Sequence, residues 1–252
     1  MDLELQGKRI LITGGSKGIG LAIADAFARE GASLVLVSRS EADLQAAQTR
    51  LSSSHTVRIE TISADLATSA GIEAVSGAVS QVDILVNNAG AIPPGSLTDI
   101  SAEQWRKAWD LKVNGYIDLT RSLYPKVTKP GGVVINIIGS AGENPNKDYI
   151  CGSTGNAALM MFTKAFARHA RSDGVRVLGI NPGPVLTDRF RMLLQAEAER
   201  RFSDAGRWLD LIRDLPFGRA AEPREIADAA AFLASVRSGY TSGSIVTIDG
   251  GL

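Results

Sequence analysis

The chain has 252 residues, and its 27 lysines and arginines balance its 27 aspartates and glutamates. This balance argues against non-specific binding to nucleic acid or to an anionic membrane, because both need a basic excess. The single cysteine, Cys151, excludes an internal disulfide framework and is typical of a reducing compartment. The first ten residues lack a signal-peptide core, and no apolar run reaches the roughly 20 residues of a membrane span. We therefore expect a soluble, cytoplasmic protein.

Seven short runs rich in β-branched residues alternate with longer amphipathic segments. Most runs are apolar without alternation, as expected of strands buried on both faces of a parallel sheet. We predict a doubly wound α/β sheet with helices on both faces, a Rossmann fold in a single domain over residues 1–252. Right-handed crossovers then place every carboxyl strand end on one rim, where ligands bind. The predicted strands are Arg9–Thr13, Ser33–Val37, Val57–Ile62, Ile84–Asn87, Val133–Ile138, Val175–Ile180 and Ser244–Ile248, and the predicted helices are Ile19–Arg29, Glu41–Leu51, Ser69–Val79, Ala102–Tyr124, Ser153–Ser172 and Pro223–Ser235.

The segment 187–215 fits this alternation poorly. It is helical by pattern, carries charges of both signs, and lies between a strand end and the last helix. Two interpretations stay open: a lid over the binding rim, or a plain helical hairpin on the surface.

A glycine-rich turn, TGGSKGIG, joins the first predicted strand to the first helix over residues 13–20. Gly14, Gly18 and Gly20 let the backbone turn tightly and approach a pyrophosphate. The helix N-terminus adds unpaired N–H groups and the positive end of its dipole. Because the string follows a strand and opens a helix, it predicts a dinucleotide site rather than merely a tight turn.

The end of the second strand indicates which dinucleotide binds. An acid there would bind the ribose 2′-hydroxyl of NAD, whereas a basic residue would accommodate the 2′-phosphate of NADP. The chain has Ser38 and Arg39 with no acid at the strand tip, and Lys17 lies in the glycine turn. This pattern predicts NADP(H), with NAD(H) as the alternative, since both cations could be ordinary surface charges.

The glycine spacing resembles the TGxxxGxG of the short-chain dehydrogenase/reductase family. The match continues in the family's order, with Asp-Leu after the third strand, NNAG after the fourth, NPG after the sixth and DGG near the end. The resemblance implies hydride transfer between a nicotinamide cofactor and a carbonyl or alcohol carbon of a small molecule, by a homo-oligomer (dimer or tetramer). It also implies these cofactor-binding residues: Gly14, Ser16, Lys17, Gly18, Ile19, Gly20, Arg39, Asp65, Leu66, Asn88, Ala89, Gly90, Pro182, Gly183 and Thr187.

The catalytic part of the family pattern is broken. The family uses a serine to orient the substrate oxygen, a tyrosine to exchange the proton, and a lysine whose charge lowers the tyrosine pKa. An alignment without gaps places Gly139, Gly152 and Asn156 at those positions. Of the family's four catalytic positions only the helix asparagine that holds a proton-relay water remains, matched by Asn114 in LKVNGY. The family's usual mechanism cannot operate with glycine in place of its acid/base.

A relocated tyrosine offers one explanation. Tyr149 lies three residues before Gly152, nearly one helical turn, so it could face the same cleft. Its spacing to Asn156 also resembles enoyl reductases of this superfamily, in which a tyrosine hydrogen-bonds an enolate oxygen. The alternative is a loop tyrosine that packs on the cofactor or on a neighbouring subunit. The candidate catalytic residues are Tyr149, Ser140, Asn114 and Asn156.

Two functions from different classes follow. The first is an NADP(H)-linked oxidoreductase acting on a carbonyl compound or an activated alkene. The second is a nucleotide-binding sensor or inactive partner subunit, since three catalytic positions have changed at once. Cys151 has no visible histidine or acid partner, which favours a helix-packing cysteine over a nucleophile. The carboxylates show no metal-ligand spacing, so we expect no metal.

Overall fold

The computed structural model describes all 252 residues. Seven strands form one parallel sheet in the order β3-β2-β1-β4-β5-β6-β7. This order confirms the predicted doubly wound sheet, whose direction of winding reverses between β1 and β4. The strands are β1 Arg9–Thr13, β2 Ser33–Ser38, β3 Ile59–Ser63, β4 Ile84–Asn87, β5 Val133–Ile137, β6 Arg176–Pro182 and β7 Ile245–Ile248, and the α-helices are α1 Gly18–Arg29, α2 Glu41–Ser54, α3 Ser69–Ala78, α4 Ala102–Trp109, α5 Gly115–Leu123, α6 Ile150–Ala170, α7 Asp188–Phe202 and α8 Pro223–Ala234.

The central strands are apolar throughout because helices cover both faces of the sheet. Ile10 and Ile12 of β1 pack into the layer that contains α1 and α8. Leu11, whose side chain points to the opposite face, packs into the layer with α3 and α5. The burial of both faces explains why these strands show no polar alternation. None of the helices combines the length and apolar character needed to cross a membrane.

The predicted helix Ala102–Tyr124 is interrupted in the structure. It starts with a capping box between Ser101 and Gln104, continues as α4, and then widens into a π-helical turn over Asp110–Asn114 before α5. Such turns change the direction in which the following side chains point, and they are frequent at functional sites.

The long helix α6 begins three residues before its predicted start at Ser153. Tyr149 occupies its N-cap position, where its backbone N–H donates to Asn146 O (3.0 Å) and its carbonyl accepts from Ser153 N (2.9 Å). The earlier start fixes Tyr149 at the entrance of the helix instead of in a loose loop.

The segment 187–215 is helical, as its pattern indicates. The Thr187 side chain accepts from Phe190 N and caps the start of α7. Ser203, the residue after the helix, has a left-handed conformation. A run of 3₁₀ turns over Ala205–Ile212 follows.

Candidate active site

Two adjoining cavities open at the rim where β1, β4, β5 and β6 end. The first, of about 430 Å³, lies against the glycine turn and the loop after β4. The second, of about 530 Å³, extends from it toward α6 and α7. Together they form one cleft, and the residues that border both halves are Ile19, Gly90, Lys112, Ile138, Gly139, Pro182, Gly183, Thr187 and Arg189.

A threonine ties together the two loops at the reversal point of the sheet. Thr13 Oγ1, at the end of β1, accepts hydrogen bonds from Asn88 N (2.8 Å) and Ala89 N (2.9 Å) after β4. Asn88 Nδ2 donates back to Thr13 O (2.9 Å). The walls of the first cavity are thereby held at a fixed separation.

Where the glycine turn lines the first cavity, Gly14 and Gly18 present backbone without side chains. Gly14 and Gly18 have φ angles of +63° and +54°, which side-chain-bearing residues rarely adopt. A Cβ at Gly20 would lie 2.1 Å from Gly14 O, so the turn closes only with glycine there. No side chain caps the N-terminus of α1. Free N–H groups at a helix N-terminus beside bare backbone suit a pyrophosphate, so these residues fit a dinucleotide.

The predicted 2′-phosphate region contains an acid that the sequence did not single out. Lys17 Nζ pairs with Asp43 of α2 at 2.8 Å, and this ammonium holds the pKa of Asp43 below its ordinary value. Ser16 donates to Ser38 Oγ (3.1 Å). Arg39 is exposed at the end of β2 and pairs with no carboxylate, which leaves it as the free cation of this region.

Asp65 and Leu66, the predicted adenine-contacting pair, lie just beyond β3 and border neither half of the cleft. The Asp65 carboxylate accepts from Ala67 N (3.1 Å), and the Leu66 side chain is buried in the core layer of α3 and α5. Their role toward a nucleotide stays a prediction.

The structure places Asn114 outside the cleft, and its catalytic role stays a prediction. Its side chain is exposed, its Nδ2 donates to Asp110 Oδ1 (2.9 Å), and it borders a separate surface pocket together with Leu66. Residues two apart on a helix point roughly 200° apart at about 100° per residue. The residue that this helical region presents to the cleft is therefore Lys112.

Lys112 reaches the cleft from the π-helical turn. Its Nζ donates to Ile138 O at 2.5 Å, immediately before Gly139. Its stem passes Gly90, where a Cβ would lie 3.0 Å from Lys112 Cδ. No carboxylate pairs with it, and burial lowers its pKa to about 8. The sequence does not single out Lys112, because the widened turn that aims it is not readable from the helical period.

The Tyr149 ring lies directly over Gly152. A Cβ at position 152 would be 2.0 Å from Tyr149 Cε1 and 2.1 Å from Cζ. The ring thus fills the space that a side chain at 152 would enter, and Tyr149 borders the second cavity. Burial raises its pKa, and the Arg189 guanidinium opposes that rise.

Gly139 and Asn156 pack against each other at the second cavity, which both residues border. Gly139 has φ +138°, and a Cβ there would lie 2.7 Å from Asn156 Nδ2. Asn156 is 2% exposed, and its Oδ1 has no hydrogen-bond partner in the chain. Ser140 starts a short 3₁₀ turn and borders the second cavity. The structure therefore brings three of the four candidate catalytic residues together: Tyr149, Ser140 and Asn156.

Cys151 has a packing role. It is buried against Ile92, Ile100 and Ala108, and its carbonyl accepts from Trp109 Nε1 (3.2 Å). Burial raises the pKa of its thiol, which disfavours the reactive thiolate.

A parallel sheet that carries a bare glycine turn and an uncapped helix N-terminus at its reversal point defines a dinucleotide-binding protein. Residues 14–252 match the family model described as enoyl-(acyl carrier protein) reductase. The chain belongs to the short-chain dehydrogenase/reductase family. The 7alpha-hydroxysteroid dehydrogenase of Escherichia coli (strain K12) is 32% identical to it, over 99% of this chain and 96% of that protein.

Two solved structures extend the likeness to three dimensions. L-Sorbose reductase from Gluconobacter frateurii, complexed with NADPH and L-sorbose, has 35% sequence identity and a TM-score of 0.94, covering 99% of this chain and 98% of that one. The NADPH-bound short chain oxidoreductase from Pseudomonas aeruginosa PAO1, which contains an atypical catalytic center, has 27% identity and a TM-score of 0.88, with coverages of 97% and 96%. These complexes agree with the prediction of a nicotinamide cofactor.

Proposed function

We propose that this protein is an NADP(H)-dependent oxidoreductase that transfers hydride to or from a carbonyl compound or activated alkene, with a relocated tyrosine in its active site. The observation that carries this proposal is the Tyr149 ring over Gly152, 2.0 Å from where a Cβ would be. The ring of a tyrosine from nearly one helical turn earlier thus overlaps the space in which a side chain at position 152 would begin, which supports the relocation.

The cofactor half of the cleft supports the same function. The bare turn at Gly14 and Gly18 and the uncapped N-terminus of α1 suit a pyrophosphate, and Thr187 and Gly183 line the same cavity. A bound reduced nicotinamide would supply the hydride. The chain's own task is then to hold the substrate carbon beside it and to stabilise charge on the substrate oxygen.

The residues that line the second cavity indicate how a substrate would be bound. Tyr149 donates a hydrogen bond to the substrate oxygen, and Ser140 stands on the same wall as a second donor. Phe190 and Leu193 of α7 provide an apolar cover, which supports the lid interpretation of the segment 187–215. Arg189 is a cation at the mouth that favours substrates rich in oxygen. A carbonyl compound with neighbouring hydroxyl or acidic groups fits this lining.

The experiment that tests this function follows NADPH oxidation with ketoses, other ketones, aldehydes, quinones and enoyl thioesters, alongside fluorescence titration of NADPH. We expect micromolar binding and turnover with at least one carbonyl class. Tight NADPH binding without turnover on any class would favour the second function, a nucleotide sensor or inactive partner subunit. Absence of binding to either nucleotide would contradict both.

Arg39 is expected to select the phosphorylated cofactor. Replacing Arg39 with alanine should weaken NADPH binding about tenfold and leave NADH binding unchanged, because a charge-assisted hydrogen bond to phosphate is worth roughly 1.5–3 kcal/mol. Lys17 contributes less, since Asp43 already neutralises it. The measurement is the ratio of the two dissociation constants, with Arg58→Ala, an exposed arginine elsewhere, as the control. Equal losses for both nucleotides would show that Arg39 does not read the 2′-phosphate.

We also propose that the enzyme is a cytoplasmic homo-oligomer. The one cysteine is a buried free thiol, which suits a reducing compartment. Met161, 65% exposed on α6, provides apolar surface for a second copy.

A further inference from the structure

Lys112 brings an unneutralised positive charge into the cleft. Its Nζ has one protein partner, the carbonyl oxygen of Ile138, and its side chain borders both cavities. The only carboxylate that borders either cavity is that of Asp188, at the mouth of the first. Ammonium groups inside proteins are normally paired, because an unpaired buried charge is costly. A lysine kept without a carboxylate partner therefore points to a task in the cleft.

The other groups of the second cavity are poor at moving protons near neutral pH. Gly139 has no side chain, and the amide of Asn156 does not ionise. Only Lys112, Tyr149 and Arg189 bear ionisable side chains among the residues that border this cavity. Arginine keeps its proton in proteins. Burial raises the pKa of Tyr149, and no lysine follows it at position 156 to counter that rise.

We propose that Lys112 is the proton-transfer group of this active site, and that Tyr149 only hydrogen-bonds the substrate oxygen. This inference rests on the proposed oxidoreductase function. In the reductive direction an Nζ–H bond of Lys112 breaks and an O–H bond forms on the substrate. A bound reduced nicotinamide would supply the hydride and its electron pair to the substrate carbon. Lys112 is left as a neutral amine and regains its proton from water.

The proposed proton donor thus comes from a different helical element than the one the family resemblance indicates. The family resemblance places a lysine on α6, at position 156, whereas this chain has Asn156 there and brings its lysine from the π-helical turn before α5. Asn156 stands behind Gly139, and Lys112 Nζ is anchored to the residue just before Gly139. Both side chains therefore converge on the same strand end.

The direction of the pH dependence follows from the charges around Lys112. Tyr116 on α5 and Tyr149 at the N-cap of α6 both have raised pKa values, so they stay neutral near pH 8. The other charged groups that border the first cavity with Lys112 are Arg189 and Asp188 of α7 and Lys17 of the glycine turn. Burial lowers the pKa of Lys112 to about 8. Reduction needs the ammonium form, so kcat/KM for reduction should fall as pH rises through that value, while oxidation should rise.

The test compares Lys112→Met, Lys112→Arg and the control Lys107→Met, an exposed lysine on α4. Lys112→Met should lower kcat/KM by about 100-fold or more, as expected for loss of a general acid, and abolish the limb near pH 8. Lys112→Arg should not restore activity, because guanidinium does not release its proton. Lys107→Met should keep both rate and profile. Full activity or an unchanged pH limb in either Lys112 variant would overturn the proposal.

A measurement without turnover separates this inference from the proposed function. Wild-type lysines are ¹³C-methylated and titrated by NMR, the Lys112 resonance being assigned by its absence in Lys112→Met. It should titrate near pH 8, well below the roughly 10.4 of an ordinary lysine. A titration at the ordinary value overturns the role of Lys112 even in an active enzyme. A protein that binds no nicotinamide nucleotide overturns the proposed function, whatever Lys112 does.

Discussion

Gly152→Ala is expected to remove as much activity as Tyr149→Phe while the protein stays folded. The new Cβ would lie 2.0 Å from Tyr149 Cε1, and the ring is the part that can move. We expect the ring to swing out of the cleft and its hydroxyl to leave the substrate oxygen. Loss of one hydrogen-bond donor to a developing oxyanion costs about 100-fold in rate or more. Alanine's helical preference, up to about 1 kcal/mol over glycine, offsets the lost packing.

The double variant Tyr149→Phe/Gly152→Ala provides a stricter test of this prediction. If both changes act through one hydroxyl, their effects on kcat/KM should not add, whereas independent effects would multiply. Thr154→Ala, an exposed substitution on the same helix, serves as the control and should keep wild-type rates. NADPH affinity should stay unchanged in all four proteins. Wild-type turnover in Gly152→Ala would mean that the position of the ring has no catalytic consequence.

Gly20→Ala is expected to destabilise the protein strongly. Its Cβ would lie 2.1 Å from Gly14 O and 2.5 Å from Asn88 Nδ2, in a turn that Thr13 already ties to the loop after β4. Backbone cannot rotate away as a side chain can, so the strain spreads through both loops. We expect the free energy of unfolding to fall by about 3 kcal/mol, at the upper end of overpacking costs. NADPH binding should weaken as well, because the Gly14 carbonyl belongs to the glycine turn that would bind the pyrophosphate.

Gly77→Ala provides the matched comparison. Gly77 lies near the end of α3, and a Cβ there meets nothing within 4 Å. Alanine should stabilise that helix by up to about 1 kcal/mol. Urea unfolding followed by circular dichroism gives both values. If the two alanine variants were equally stable, the close approach of Gly20 to Gly14 would be of no energetic importance.

The fold could be predicted because its signals are local. A continuous apolar run indicates a strand covered on both faces, and a glycine turn after such a run indicates the start of a nucleotide site. Strand ends were less accurate, since they depend on pairing. β3 begins at Ile59, which pairs with Leu34, and not at the predicted Val57. Which residue first pairs is decided by the neighbouring strand and not by the run itself.

The catalytic side was only partly predictable, for a geometric reason. Tyr149 could be proposed because three residues nearly complete one helical turn. Asn114 and Lys112 are two residues apart, and Lys112 borders the cleft whereas Asn114 lies at the protein surface. A register error of two residues is therefore enough to select the wrong side chain. The π-helical turn that sets this register has no local sequence signal. Asp43 was missed in the same way, because its approach to Lys17 depends on how α2 packs beside the glycine turn.

The close packing at the two glycines implies that the candidate active site resists single substitutions toward the family's common residues. A serine at position 139 would meet Asn156 Nδ2 at 2.7 Å, and a tyrosine at position 152 would collide with the ring of Tyr149. Each single substitution toward the family's common residues therefore meets a side chain that already fills the space. A lineage that arrived at this arrangement can leave it only by changing several positions together. Related sequences should therefore carry these substitutions as a linked set.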